Sequence, residues 1–220
     1  MSPTTELGMG ATGDPAIQRQ SLLALLRQEP RGSANQHRSE IEHLITALER
    51  SSPADLTVPG ALEQLEGVWE LRWSSSRQPY LSAAPWLENL QCLAPSQGRG
   101  MNLLRPSGPL AGLAGIAVEA AIERPEPALP GERSGGTPSR QGQRVHVRFQ
   151  RGGWLGPTLG AGRLQWLRRV NQSFPAWLDI TVLDDDLRIC RGQAGTVFAL
   201  LRRTDLALDA LMLPMKAQRS

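Results

Sequence analysis

The stretch "LDITVLDDDLRICRGQAGTVFALL" (Leu178–Leu201) decides how this chain is read. It is strand-like as far as Leu183, and then Asp184, Asp185 and Asp186 interrupt it. Such a triplet is either a metal or catalytic site, or a turn held by charge. A calcium loop needs alternating acids, a central glycine and a distal glutamate; "DDDLRICRG" has none of that order. The aspartate-rich motif of prenyl-diphosphate chemistry needs a further acid where Arg188 stands. Aspartate favours turns because its side chain bonds its own backbone, so a turn is the reading adopted. Arg188 lies out of phase with Leu187 and Ile189. It is expected to meet Asp184 or another carboxylate, or to cover a tryptophan face. Gly192 and Gly195 suit a second tight turn. The stretch therefore reads as strand, turn, short strand, turn, strand, with Thr196–Leu201 last.

Working outward, the same two-residue period recurs. In "LEGVWELRWSSS" (65–76), Trp69, Leu71 and Trp73 alternate with Val68, Glu70 and Arg72. This predicts a half-buried strand with its aromatic face inward. "GIAVEAAIE" (115–123) places Ile116, Val118, Ala120 and Ile122 on one face, and "QRVHVRFQ" (143–150) does the same with Val145, Val147 and Phe149. Those two strands are expected to pair, with glutamate facing arginine on the wet side. Between them lies a Pro-, Gly- and Ser-rich segment, read as a long loop. The glycine-rich "GGWLGPTLGAG" (152–162) lacks the Lys-Ser/Thr of a phosphate loop and is read as a turn.

Residues 16–52 have a different period. "AIQRQSLLALLRQ" (16–28) is an amphipathic helix, "SANQ" from Ser33 has capping-box form, and Ile41, Leu44, Ile45 and Leu48 form a helical stripe. Residues 1–15 are read as a tail, 16–52 as a helical hairpin, 62–204 as the β domain and 205–220 as a C-terminal tail. Helices followed by alternating strands predict an α+β, mainly β fold with an antiparallel sheet. Such sheets avoid exposed edges by closing into barrels, and about eight strands leave room for a small apolar ligand.

The 220 residues suffice for a real core, and no apolar run is long enough for a membrane helix. Cys92 and Cys190 are too few for a disulfide framework or a cysteine-rich zinc site. His37, His43 and His146 are scattered, so no metal and no cofactor are expected. Every basic residue but Lys216 is arginine. Eight arginines and no acid lie between Arg133 and Leu178, a lobe suited to anionic headgroups or nucleic acid, or simply a solvated face. Six tryptophans beside one tyrosine suit a cavity wall or a membrane interface as well as an ordinary core.

The C-terminal stretch resembles the signature of the plastid lipid-associated protein, or fibrillin, family of cyanobacteria and plastids. The similarity runs through Leu183, Asp184, Leu187, Arg188, Ile189, Arg191, Gly192, Gly195 and Phe198. The Gly67-x-Trp69 strand and the helical region before it are similar to that family as well. The middle, "GRGMNLLRPSGPLAGLAGIAVEAAIE", departs from its pattern. The resemblance implies a lipocalin-like barrel, preceded by the helical hairpin, that binds a carotenoid, quinone or acyl lipid at thylakoid membranes without catalysis, with a role in photoprotection or lipid organisation. It implies a cytoplasmic protein, peripheral to the thylakoid. It also implies a structural pair of Trp69 with Arg188 or Arg191. The expected lining is Trp69, Leu71, Trp73, Val118, Val145, Val147, Phe149, Ile180 and Phe198. The membrane would be met by the arginine lobe and the apolar "LALDALMLPM" (206–215); no nucleic acid is expected. The rival reading is a filled barrel that serves as a scaffold for a partner. An enzyme would need Asp179 or Thr181 inside the pocket.

Overall fold

The computed structural model describes residues 13–78, 81–123, 142–160, 162–171 and 176–213. The long loop expected between residues 124 and 143 lies almost wholly outside them, as do most of the N-terminal tail and the last seven residues.

Nine strands form one antiparallel sheet: β1 (Gly67–Ser74), β2 (Leu87–Ala94), β3 (Arg99–Pro106), β4 (Gly115–Glu123), β5 (Arg144–Leu159), β6 (Gly162–Arg169), β7 (Ala176–Leu183), β8 (Leu187–Gly192) and β9 (Val197–Arg202). Their order is β4-β3-β2-β1-β9-β8-β7-β5, and β5 pairs back to β4, closing an eight-stranded barrel. The long β5 makes this closure. Arg144–Val147 pair with β7, whereas Arg151–Leu159 pair with β6, which extends the wall beyond the ring. Closure removes the edges that would otherwise invite pairing with other chains.

The α+β, mainly β architecture follows the expected order. The helices α1 (Pro15–Leu26) and α2 (Arg38–Ser51) pack together on the outer wall. Leu22, Leu26, Ile41 and Ile45 are fully buried there against Leu187, Ile189, Ala199 and Leu201. Each such side chain contributes roughly 1.5–3 kcal/mol of gross apolar stabilisation. Ser33 does not cap α2: its hydroxyl donates to the Pro30 carbonyl, and a 3-10 turn at Ser33–His37 precedes the helix.

Three strands escaped the sequence reading. β2 lies just before the divergent middle, β3 within it, and β6 follows the glycine-rich segment. That segment is strand as far as Leu159, not turn. Its glycines sit where neighbours occupy the side-chain space: a Cβ on Gly153 would lie 2.1 Å from the Trp166 carbonyl oxygen, and one on Gly156 2.2 Å from the Trp154 ring. Trp154, Trp166 and Trp177 thus fall in β5, β6 and β7.

A bulge in β1 alters a second expectation. Leu71 opposes Leu200, but Trp73 opposes Ala199, so one extra residue turns Trp73 to the outer face. There it is buried beneath α1 and α2, with Arg38 5.4 Å from its ring. Trp73 therefore does not line the interior.

The described part of the C-terminal segment packs on the barrel. Leu206, Leu208, Leu211 and Leu213, around the short α4 (Leu208–Leu211), cover Val68, Leu90, Cys92, Met101 and Leu103 on the outer wall. Among the described residues Leu206, Leu208, Leu211, Met212 and Leu213 are engaged with the protein itself. Among the described residues no helix is long and apolar enough to cross a membrane.

Candidate ligand-binding site

The closed end of the barrel is built around the Gly-x-Trp strand. Residues 53–65, ending in the short α3 (Ala61–Leu65), lie across strand ends, with Ala54 N–H donating to Thr181 O (2.9 Å) and Leu56 N–H to Gly142 O (2.8 Å). The Trp69 indole is fully buried, and its Nε1 donates to Leu65 O at 3.0 Å. Two guanidiniums cover it, Arg202 at 4.2 Å and Arg188 at 5.2 Å. Arg202 also donates to the carbonyls of Gln64, Glu66 (2.7 Å) and Asp185 (2.5 Å), tying the start of β1 to the β7–β8 turn. A Cβ on Gly67 would lie 2.6 Å from Arg202 Nη1, and its φ of +136° suits glycine. Arg202 was missed in the sequence because it lies beyond the motif; it is the arginine whose backbone contacts lock this end.

Arg191 is elsewhere. It makes a two-pronged ion pair with Glu49 of α2, both contacts 2.7 Å, on the outer wall. Gly195 occupies the β8–β9 turn with φ +79°, and Leu183 joins the interior cluster.

The acidic triplet is a turn. Asp184 Oδ1 accepts from the N–H groups of Asp186 (2.8 Å) and Leu187 (2.9 Å). Arg19 of α1 reaches it with two bonds of 2.6 and 2.8 Å. Burial pulls the Asp184 carboxyl upward, but Arg19 and the two amides outweigh it, and the group sits below the usual carboxylate range. Among the described residues no cluster of three His, Cys, Asp or Glu could hold a metal. Asp184→Asn is expected to cost ~1–2 kcal/mol, the worth of a capping carboxylate with a partly exposed ion pair. A depressed folded-state pKa gives stability that is complete above pH ~4 and lost as pH falls below it. The variant's deficit should therefore shrink between pH 6 and pH 3. A thermal unfolding series checks this; a deficit constant with pH would contradict it.

The interior face divides into two halves. Near the closed end Trp69, Leu71, Ile122, Val145, Ile180, Cys190, Phe198 and Leu200 are all buried, in contact with Leu56 and Leu65. Val147 is partly buried against the same cluster, and Phe149 opposes Ala120 on this face. Toward the other end the same face opens. Gln91 opposes Asn102, Asn102 opposes Val118, and Leu104 opposes Ile116. Ile116 opposes Trp154, which opposes Trp166 on β6. Gln91, Leu104 and Val118 are half-buried, whereas Ile116, Trp154 and Trp166 are 57%, 43% and 66% exposed. An apolar row thus runs out of the barrel onto its rim, with Arg168 4.9 Å from the Trp166 ring.

Asp179 and Thr181 have their partners elsewhere than the interior. Asp179 is buried on the outer face, where it accepts from Arg144 at 2.8 and 3.1 Å. Thr181 donates to Ile189 O. Neither is placed to act on a molecule inside. The β4–β5 pairing brings Glu119 opposite Arg151 and sets Glu123 3.4 Å from Arg148, as the alternation implied. The arginine lobe is thereby partly neutralised by acids outside it: Arg144, Arg148 and Arg151 are all ion-paired. Arg133 and Arg140 lie outside the described residues. Burial raises the Cys92 thiol to about 12 and raises Cys190 as well, so both are packing groups.

A family model, PAP_fibrillin, matches residues 16–99 and 139–201, more than half of the chain. The gap between those segments holds most of β3, all of β4 and the loop after it. No curated protein and no solved structure matches the chain.

Proposed function

We propose, for a chain that belongs to the PAP_fibrillin (plastid lipid-associated protein) family, a non-enzymatic carrier of a hydrophobic small molecule at a membrane surface. Carotenoids, quinones and acyl lipids are the classes considered, the membrane is the thylakoid, and the role is lipid organisation or photoprotection. The observation that supports this best is the apolar row Leu104–Ile116–Trp154–Trp166, which leads from the barrel interior to an exposed rim. Exposed tryptophans with an arginine beside them suit the headgroup level of a bilayer, because indole is apolar with one polar handle. A ligand entering from the membrane would then stay in apolar surroundings along its path.

The test has two parts. Lipids extracted from the protein purified out of a photosynthetic host should contain one enriched apolar species. In flotation with vesicles of anionic lipid, the Trp154→Ala, Trp166→Ala pair should lower membrane partition at least about tenfold, given roughly 1.5–3 kcal/mol per buried large apolar side chain. Partition unchanged by the double substitution would remove the rim from the reading, and unchanged by salt would remove the arginines. The packed lower half favours a second reading, a barrel that binds no cargo and presents its surface to a protein partner; extraction of no enriched lipid would shift weight to it.

A further inference from the structure

We infer that Arg188, with Gln91, is the receptor for the carboxylate of a long-chain monocarboxylic acid. The inference rests on the carrier reading above and names its cargo class.

Arg188 projects from β8 into the barrel and is 1% exposed. A guanidinium keeps its charge, and a buried charge without a counter-ion costs several kcal/mol. Among the described residues no carboxylate meets it. Its Nη2 donates to Gln91 Oε1, its guanidinium carbon lies 5.2 Å from the Trp69 ring centroid, and the Cys190 sulfur is a weak hydrogen-bond partner. Its Nε, fully buried, has no partner. The nearby acids are engaged elsewhere: Asp184 and Asp186 with Arg19, Asp185 with Gln64. Burial presses the guanidinium below its ordinary value, as expected of a cation that lacks an anion.

The free donor has a direction. Nε and Nη2 share one edge of the guanidinium, the edge that receives a carboxylate through two parallel bonds. Nη2 is held by a neutral amide from β2, so the bond crosses the interior, with β9 and β1 between the two strands. A carboxylate arriving at that edge would take the bond Gln91 now accepts, and the Gln91 amide N–H could then donate to it. From Gln91 the face continues through the exposed Asn102 and the half-buried Val118 and Leu104 to Ile116, a course for an alkyl or isoprenoid chain toward the rim. One guanidinium balances one negative charge. A phosphate monoester would need a second cation, and Arg202 is committed to three backbone carbonyls.

The test is titration of the full chain with cis-parinaric acid and with the matching alcohol, followed by probe fluorescence. Wild type should bind the acid about tenfold or more tightly than the alcohol, as a charge-assisted hydrogen bond implies. Arg188→Met should abolish that preference, so that acid and alcohol bind alike. Gln91→Glu supplies a counter-ion from the chain itself; it should raise the melting temperature and also abolish the acid preference. Should Arg188→Met fail to fold, Gln91→Glu decides. Equal binding of acid and alcohol by wild type, or an acid preference kept in either variant, overturns the carboxylate receptor while the carrier reading stands. Binding of neither probe, with extracted lipid also absent, overturns the carrier reading itself.

Discussion

Trp69→Ala is expected to lower the free energy of unfolding by about 3–5 kcal/mol, the cost of emptying a large aromatic site in a packed core. The indole is fully buried, donates to Leu65 O through its Nε1, and has the Arg188 and Arg202 guanidiniums over its ring. Removing it leaves a cavity against Leu65 and Leu200 and takes the ring face from the buried Arg188 and the half-buried Arg202. Both terms point the same way. Urea unfolding measures the loss directly, and it is a large fraction of the 5–15 kcal/mol typical of a domain. A loss below about 1 kcal/mol would show that the closed end does not anchor the barrel. Trp73→Ala empties a site of similar size but on the outer face, so its effect should centre on the docking of α1 and α2.

Glu88→Gln should be of comparable size, about 3–5 kcal/mol, because it breaks a buried ion network from one side. Glu88 is 4% exposed and receives Arg105 at 2.7 Å, Arg203 at 3.1 Å and Arg31 at 3.3 Å. Glu70, 3% exposed, shares Arg31 and Arg203. Neutralising Glu88 leaves Arg105 without its ion pair in a poorly solvated site and Arg31 with Glu70 alone, while Arg203 keeps Glu70 and Asp205. The network joins the segment after α1 to β1, β2, β3 and the residues after β9, so the loss should appear as global unfolding rather than local fraying. Burial pulls the Glu88 carboxyl up, but Arg105 and Arg203 outweigh it and hold it below its ordinary value. With the folded pKa depressed, its stabilisation is complete above pH ~4.3 and disappears as pH falls through the folded value. Wild type should lose stability there more steeply than Glu88→Gln. Parallel acid titrations of the two would refute the network if measured in one buffer series.

Much of the fold was legible in short-range pattern. The alternation in β1, β4, β5 and β7 determined which side chains share a face, because the pleat has a period of two. The Asp184 turn was legible too, since an aspartate that accepts backbone N–H groups two and three residues on is local chemistry. Other features depend on partners far along the chain. Nothing near Trp73 announces the bulge that turns it outward; that register comes from β9. The glycines of β5 read as a turn because their neighbours, the Trp166 backbone and the Trp154 ring, are set by the β5–β6 pairing and by a side-chain rotamer. Arg188 and Asp184 look like a natural ion pair four residues apart. The structure instead joins Asp184 to Arg19, 165 residues away, and sends Arg188 across the barrel to Gln91. Sequence by itself thus determined six of the nine strands, the Asp184 turn and the alternation within those strands apart from the β1 bulge. Only closure of the barrel decided which face is interior, which arginine is paired, and which one is buried without an anion, because charge pairing and burial depend on distance in space rather than along the chain.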